Sequence, residues 1–322
     1  MNECVLVSGA SGFVGSALVT RLARDARVVV RAAVRRADWS APPGVEVTKV
    51  ADLAPDTDWR TALQGVQYVV HTAARVHVMQ DRAADPLREY RYSNVQGTLA
   101  LARQAAALGA RRFVFISSIK VNGETTAAGK PFRAHDTPQP VDPYGVSKFE
   151  AEAGLKEIAA STGMQLVIIR PPLVYGPGVG ANFRKLMQWL HAGKPLPFGA
   201  IDNRRSLIGI DNLVDLITLT LEHPAASGQV LLASDDEDIS TTALMQRLGL
   251  KLQRPARLLP VPPALLRLGA ALVGKSAAIS RLCESLQLDV SATRSALAWS
   301  PPVSLDEGLT RTAAGFLSET RL

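Results

Sequence analysis

Gly9-Ala10-Ser11-Gly12-Phe13-Val14-Gly15 follows the apolar run Cys4–Val7 and opens a helical pattern over Gly15–Arg24. Gly9 permits a tight turn, Gly12 lets backbone approach a pyrophosphate, and Gly15 lets the helix pack closely on the strand. The N–H groups around Ser11, Phe13 and Val14, with the positive end of the helix dipole, then face phosphates. Further Val/Ile-rich runs follow at Val28–Val34, Val45–Val50, Tyr68–His71, Phe113–Ile116 and Leu166–Ile169 and read as buried strands. Helical patterns at Pro86–Leu108 and Pro143–Ala160 lie between them. Strands alternating with helices imply right-handed crossovers and a parallel sheet covered on both faces, an α/β doubly wound fold.

The second half reads differently. Sixteen of the 20 prolines lie at or after Pro131. Proline breaks regular elements, so a smaller, more irregular C-terminal substrate-binding lobe is expected. The expected division is residues 1–170 and 171–322, with a change near Arg170–Pro172. Residues 201–233 are expected to return to the first sheet through a helix at Asp211–Glu222 and a strand at Gln229–Ala233.

Of 322 residues, 47% are hydrophobic and 20% charged, which excludes a disordered or fibrous chain. The net charge is +7. Arg31, Arg35 and Arg36, then Arg111 with Arg112, and Arg204 with Arg205 form small groups, but no continuous basic block or aromatic series points to nucleic acid. Cys4 and Cys283 are too few for a disulfide framework, and Cys4 is expected in the core. Leu258–Ile279 contains Arg267, Lys275 and three prolines. It falls short of the ~20 apolar residues of a membrane span. Pro263–Leu272 is expected to be a core or oligomer helix, with a membrane-surface module as the alternative. These features lead to an expectation of a cytoplasmic protein with no membrane insertion and no metal site.

The second strand of such a fold usually ends in an acid that binds the adenosine ribose. Here Val34 is followed by Arg35 and Arg36. Arginine cannot accept hydrogen bonds from ribose hydroxyls but can clamp a 2′-phosphate. NADP(H), or use of both NADP(H) and NAD(H), is expected, against the alternative of solvated loop charges. Asp52-Leu53 is placed to meet adenine, and Ala73-Ala74 to line the cofactor.

Tyr144-Gly-Val-Ser-Lys148 puts a phenol and an ammonium one turn apart on a helix. A neighbouring cation, joined by the positive nicotinamide ring of an oxidised cofactor, favours phenolate, so such a tyrosine can exchange the proton of a carbinol while hydride moves. The strand Phe113–Ile116 ends in Ser117-Ser118, at the edge where ligands bind. One of the two hydroxyls can donate to a substrate oxygen, and the other reads as a strand-end cap.

At this point the chain resembles the extended short-chain dehydrogenase/reductases, the nucleotide-sugar epimerases, reductases and dehydratases. GASGFVG (a GxxGxxG spacing), HTAA at His71–Ala74, SNVQGT around Asn94, SSIKVNG, YGVSK, RPPLVYGPG at Arg170–Gly178 and RRSLIGIDNLVD at Arg204–Asp215 occur in the family's order. The resemblance implies a Rossmann fold and a homodimer that pairs helices including that of Tyr144. Ser118, Tyr144 and Lys148 become the catalytic set. Asn94 holds the active-site helix near the cofactor, Lys148 also binds the nicotinamide ribose, and Pro171 and Val174 border the cofactor. For a UDP-linked sugar it implies Arg205 and Asn182 at the pyrophosphate, Phe198 beside uracil, Arg281 as a further phosphate ligand or a surface arginine, and Lys120 at the sugar or in a salt bridge.

The family's 4,6-dehydratases carry an Asp-Glu pair after the catalytic hydroxyl, and its UDP-glucuronate decarboxylases a glutamate at the second place. Ile119 and Lys120 stand there. Isoleucine cannot transfer protons, so redox chemistry at C4 remains. SSIKVNG looks like a subgroup often called UDP-glucose 4-epimerase that includes reductases making UDP-N-acetylquinovosamine, or its 4-epimer, for O-antigen. The expected activity is NAD(P)H-dependent reduction of a UDP-4-keto-6-deoxy-N-acetylhexosamine. A UDP-hexose 4-epimerase is the alternative and a non-catalytic NADP-binding regulator a lesser one. Part of the +7 is expected to serve anionic ligands through Arg35, Arg36, Lys148 and Arg205.

Overall fold

Ten strands run in chain order in the computed structural model: β1 (Glu3–Ser8), β2 (Val28–Val34), β3 (Glu46–Lys49), β4 (Tyr68–His71), β5 (Arg112–Ile116), β6 (Gln165–Arg170), β7 (Leu173–Tyr175), β8 (Arg205–Gly209), β9 (Val230–Leu232) and β10 (Asp238–Ile239). The structure describes residues 3–36, 38–76, 85–272, 274 and 276–320. Seven strands form one parallel sheet in the order β3-β2-β1-β4-β5-β6-β9. The chain reverses its direction of travel across the sheet between β1 and β4, and ligands bind outside the carboxyl ends of strands at such a switch.

Twelve α-helices accompany the strands among the described residues: α1 (Phe13–Leu22), α2 (Arg60–Leu63), α3 (Pro86–Tyr90), α4 (Thr98–Ala107), α5 (Pro143–Thr162), α6 (Ala181–His191), α7 (Ile210–Glu222), α8 (Thr241–Lys251), α9 (Pro263–Leu272), α10 (Ser276–Cys283), α11 (Ser291–Leu297) and α12 (Leu305–Thr320). Val5 and Val7 of β1 pack with Leu18, Leu22, Leu213 and Ile217 on the face covered by α1 and α7. Cys4 and Leu6 pack with Leu101, Phe113, Phe115 and Leu155 on the face covered by α4 and α5. Side chains alternate across a strand, so a sheet buried on both faces needs the unbroken apolar runs seen in the sequence. Cys4 is a buried free thiol, as expected.

Immediately after Pro171-Pro172, β7 leaves this sheet for a small one with order β10-β8-β7. Phe183, Met187, Leu207, Leu248 and Phe316 fill the core between that sheet and α6, α8 and α12. The helix and strand expected to return do so: α7 covers the large sheet and β9 pairs with β6. Arg205–Gly209, within the same expected stretch, instead forms β8 of the small sheet. Arg112 fastens α7 to β5, its buried guanidinium donating to the carbonyls of Thr220, Leu221 and His223 at the open C-terminal end of that helix. Arg31 pairs with Glu46 and Arg111 with Glu3.

Two expectations need correction. Pro86–Leu108 is not one helix: a π-helical turn at Arg91–Gly97 separates α3 from α4. At the end of that turn Gly97 packs on Leu53, where a Cβ would lie 2.9 Å from backbone carbon. Pro263–Leu272 is a helix but buries only Leu266 and Ala270, so of the two expected roles the core one is corrected and the oligomer one is not touched. Lys275 lies outside the described residues. No helix among the described residues is long and apolar enough to cross a membrane.

Gly15 is the tightest of the three turn glycines: a Cβ there would sit 2.2 Å from the Gly9 carbonyl oxygen. Gly15→Ala should cost about 1–3 kcal/mol, the usual range for overpacking, and separate α1 from β1. Urea denaturation gives the stability change, and cofactor titration should show weakened binding.

Candidate active site

The glycine turn sits at the β1/β4 switch. Gly9 takes a left-handed φ of 72°, and a Cβ on it would lie 2.7 Å from the backbone nitrogen of Ala73. The ends of β1 and β4 therefore touch without side chains between them. Gly12 is the N-cap of α1, no side chain caps that end, and no acid lies in its first turn. Uncapped N–H groups, a positive dipole end and a cap residue without a side chain suit an anionic pyrophosphate. Ala73, which meets Gly9, and Ala74 are partly exposed, as is Leu53, which meets Gly97.

At the ends of β2 and β3, Arg35 donates to Asp52 at 2.9 Å, and Arg36 lies 3.8 Å from Asp38. Both pairs are exposed. Such pairs contribute about 0–1 kcal/mol, so a phosphate dianion would displace either carboxylate readily. Asp52, expected at the adenine, is thus also the partner of Arg35.

β5 ends at Ser117-Ser118, and the structure separates their roles. Ser117 is buried and its Oγ donates to Glu152 Oε1 at 2.5 Å. Ser118 is partly exposed, and its Oγ accepts from the Lys120 N–H at 3.2 Å, capping a 3-10 turn at Ile119–Val121. That acceptor role leaves the Ser118 hydroxyl proton to donate. Pro171 holds the same turn, its carbonyl accepting from Ile119 N at 3.0 Å. Val174, on β7, packs against the main core.

Tyr144 and Lys148 are on the first turns of α5. Asp142 caps this helix by accepting from Gly145 N at 2.7 Å, with Pro143 at the first position. A Cβ on Gly145 would lie 2.9 Å from the Lys120 carbonyl oxygen. The missing side chain lets α5 lie directly on the Ser118 turn. Lys148 is 2% exposed, donates from Nζ to the Ile116 carbonyl at 2.8 Å, and sits 4.4 Å over the Phe115 ring. Burial pulls its pKa down to about 7, with Glu152 acting in the opposite direction. Burial, with Asp142 and Tyr90 beside it, pushes the Tyr144 phenol well above its ordinary range. Lys148 Nζ is 5.9 Å from the Tyr144 ring centroid, and in the protein without cofactor desolvation outweighs it.

Asn94 occupies the π-helical turn. Its amide donates to Ser147 Oγ and to the Arg75 carbonyl, both at 3.0 Å, and its Oδ1 accepts from Arg75 N at 2.7 Å. It joins the loop after β4 to α5, with its side chain committed to protein partners. Sequence reading missed Asp142, whose signal is an acid directly before a helix-opening proline. It also missed Glu152, four residues beyond Lys148 and so on the same helical face. Glu152 pairs bidentately with Arg170 at 2.5 and 2.9 Å, and Arg170 also donates to Asn122.

Around the substrate lobe the outcomes differ by residue. Arg205 donates to the carbonyls of Arg281 and Glu284 at 2.8 and 3.0 Å and, among the described residues, has no carboxylate partner. Burial lowers its pKa, yet a guanidinium stays charged. Asn182 is exposed in the first turn of α6, whose N-terminus has no side-chain cap. Phe198 is 7% exposed in the lobe core, and its carbonyl accepts from Thr242. Its ring packs in the lobe core. Lys120 pairs with Glu124 and Asp142, the salt-bridging alternative, and Arg281 lies 3.9 Å from Glu124. Among the described residues no group of His, Cys, Asp and Glu suits a metal ion.

A family model described as "NAD dependent epimerase/dehydratase family" matches residues 5–233. The chain is 46% identical over 318 residues to a UDP-glucose 4-epimerase of Vibrio cholerae, covering 98% of this chain and 96% of that protein. It is 29% identical to an N-acetyl-alpha-D-glucosaminyl-diphospho-ditrans,octacis-undecaprenol 4-epimerase of Escherichia coli O157:H7, covering 97% and 95%. Among solved structures, MoeE5 in complex with UDP-glucose and NAD is similar with a TM-score of 0.78 and 26% identity, covering 99% of this chain and 100% of that one.

Lys148 is a test of how burial and function oppose each other. Its folded pKa of about 7 lies below its ordinary value near 10.5. The penalty of holding the cation in the core is therefore full below pH 7 and fades as pH rises toward 10.5. Lys148→Met should raise stability by about 1–4 kcal/mol at acidic pH, with the gain shrinking above neutrality, while turnover falls about 10²–10⁴-fold. Denaturant melts at several pH values, with turnover assayed in parallel, would show both effects.

Proposed function

We propose that this chain, which belongs to the NAD-dependent epimerase/dehydratase family, moves hydride at C4 of a hexose held through a diphosphate, with a UDP-hexose as substrate and 4-epimerisation as the reaction. One observation carries this reading: Ser118, Tyr144 and Lys148 lie around the end of β5, and the two positions after Ser118, where a dehydratase of this family carries an Asp-Glu pair, hold Ile119 and Lys120. Ile119 is 3% exposed in a hydrophobic cluster, and Lys120 is tied to two carboxylates. Dehydration or decarboxylation needs a further acid or base there. Redox chemistry at one carbon does not. Both relatives described above carry 4-epimerase in their names.

The α1 N-terminus and Gly12 take the cofactor pyrophosphate, and Asp52, Leu53, Ala73, Ala74, Pro171 and Val174 line its remainder. When bound, the nicotinamide accepts and returns hydride, and in its oxidised form it adds the positive charge that Tyr144 lacks in the free protein. Ser118 donates to the C4 oxygen. Tyr144 takes the C4 hydroxyl proton on oxidation and gives it back on reduction. Lys148 binds ribose hydroxyls and stabilises the phenolate. Arg205, which makes no ion pair among the described residues, holds the substrate diphosphate with the N-terminus of α6 and Asn182. Phe149, exposed on α5, marks the face for the homodimer.

A second reading has its own observation. Arg35 and Arg36 stand where an NAD-selecting acid is expected, which suits NADPH and net reduction of a 4-keto-6-deoxy sugar.

Incubation of the protein with UDP-glucose or UDP-GlcNAc and NAD⁺ should interconvert the C4 epimers with no net change in cofactor. Stoichiometric loss of NAD(P)H on UDP-4-keto-6-deoxy-GlcNAc would instead establish the reductase, and inactivity on every substrate would sink the C4 assignment. Tyr144→Phe should lower turnover at least ~10³-fold while cofactor affinity, measured by titration, changes little. Arg35→Ala with Arg36→Ala should weaken NADPH far more than NADH. Equal losses would remove the 2′-phosphate role.

A further inference from the structure

The helix α9 exposes Leu265, Leu268 and Leu272 at 57%, 63% and 82%. Their spacing puts them in one stripe, on the side away from the buried Leu266 and Ala270. Just before α9, Leu259 is 52% exposed. Its segment runs beside Lys194–Gly199, with Leu196 bridged to Leu258 and Leu259 bonded to Leu196 and Gly199 through the backbone. Leu258 packs on the lobe core, so Arg257 and Leu259, on alternate positions, face outward together. Isolated exposed leucines are ordinary, but a contiguous stripe of this kind marks a contact surface.

Charge identifies the contact. Residues 239–283 carry seven of the chain's 36 basic residues and none of its 29 acidic ones, so the remaining residues, with 29 of each sign, are neutral. The whole +7 lies in the stretch that contains the stripe. Arg247, Lys251 and Arg281 have carboxylate neighbours in Glu237, Asp306 and Glu124. Arg254, Arg257 and Arg267, which flank the leucines, are exposed and make no ion pair among the described residues. A leucine stripe edged by uncompensated arginines, on a short helix that cannot span a bilayer, is the composition of an interfacial helix.

We infer that α9 and the Arg257–Leu259 segment dock this protein on a bilayer surface containing anionic phospholipid, with Leu259, Leu265, Leu268 and Leu272 entering the interface and Arg254, Arg257 and Arg267 meeting headgroup phosphates. The inference does not depend on which sugar is turned over, since none of these residues lies in the Ser118/Tyr144/Lys148 site.

Flotation of the full chain with vesicles of phosphatidylcholine, alone or mixed with phosphatidylglycerol, tests it. The protein should float with the mixed vesicles and not with the neutral ones, and added salt should release it. Each arginine of the three changed to serine should weaken vesicle affinity about fivefold. Leu268→Glu combined with Leu272→Glu should abolish flotation while turnover of a soluble substrate and cofactor binding stay unchanged, which also shows that the variant folds. No flotation with the mixed vesicles, or equal flotation with both, would overturn the proposal. So would a double glutamate variant that still floats but changes from dimer to monomer in size-exclusion chromatography with light scattering, which would make the stripe a contact between copies of the chain.

Discussion

A bidentate ion pair between Glu152 and Arg170, with side chains 1% and 3% exposed, holds the catalytic end of the sheet together. Two charges this dry cost several kcal/mol each to desolvate, and their attraction offsets that only when the remaining hydrogen-bonding positions are filled. Here they are: Ser117 donates to the carboxylate, and Arg170 donates to Asn122. The pair thereby fixes three segments at once. Glu152 belongs to α5, Arg170 ends β6, and Ser117 and Asn122 bracket the turn after β5. Each catalytic residue is a near neighbour of one of these. Ser118 follows Ser117, Lys148 and Tyr144 lie one and two turns before Glu152, and Pro171, which holds Ile119, follows Arg170. The relative placement of hydroxyl, phenol and ammonium is set beneath the site, by residues that need never touch substrate.

Above that pair, burial sorts the ionisable groups by task. Lys148 and Tyr144 are both pushed toward their neutral forms by desolvation, so small charges introduced nearby shift their proton occupancy most. The same logic keeps His71 neutral at physiological pH: burial pulls its pKa down to about 3. It bridges Ser8 and Thr98 and stacks on the Phe115 ring that also faces Lys148. Cations assigned to phosphates are treated differently. Arg35 and Arg36 remain in water, where their ion pairs are weak, and Arg205 is steadied by carbonyl oxygens rather than a carboxylate. The groups proposed for proton transfer are dry and adjustable, while those proposed to bind anions keep their charge.

Much of this was readable in the chain because it depends on local rules. Gly9, Gly12 and Gly15 announce a turn whose constraints are steric, and apolar runs such as Leu166–Ile169 announce strands buried on both faces. Tyr144 and Lys148 are paired by helical spacing alone. What was not readable depends on tertiary contact. Pro86–Leu108 has an uninterrupted helical pattern, yet a π turn lies where Gly97 meets Leu53, and that turn is where Asn94 is placed. Ser117 and Ser118 are equivalent as letters, and only the position of Glu152 decides which is structural. The burial of Phe198 among Phe183, Met187 and Leu248 was likewise not legible, because it depends on how the lobe helices pack.

The +7 shows how a composition can mislead when it is attributed to a site. Arg35, Arg36, Lys148 and Arg205 are four cations suited to anionic ligands, and assigning part of the surplus to them seemed natural. All four lie outside residues 239–283, in the portion where 29 basic residues are matched by 29 acidic ones. The ligand-binding cations are therefore balanced within their own part of the chain, as Arg35 is by Asp52. The surplus belongs to a different surface. Net charge steers a molecule as a whole only when it is spread over that molecule, and charge confined to one segment orients it instead. A neutral catalytic body with a cationic, leucine-edged flank has a preferred way to meet a negatively charged surface, whatever substrate its crevice holds.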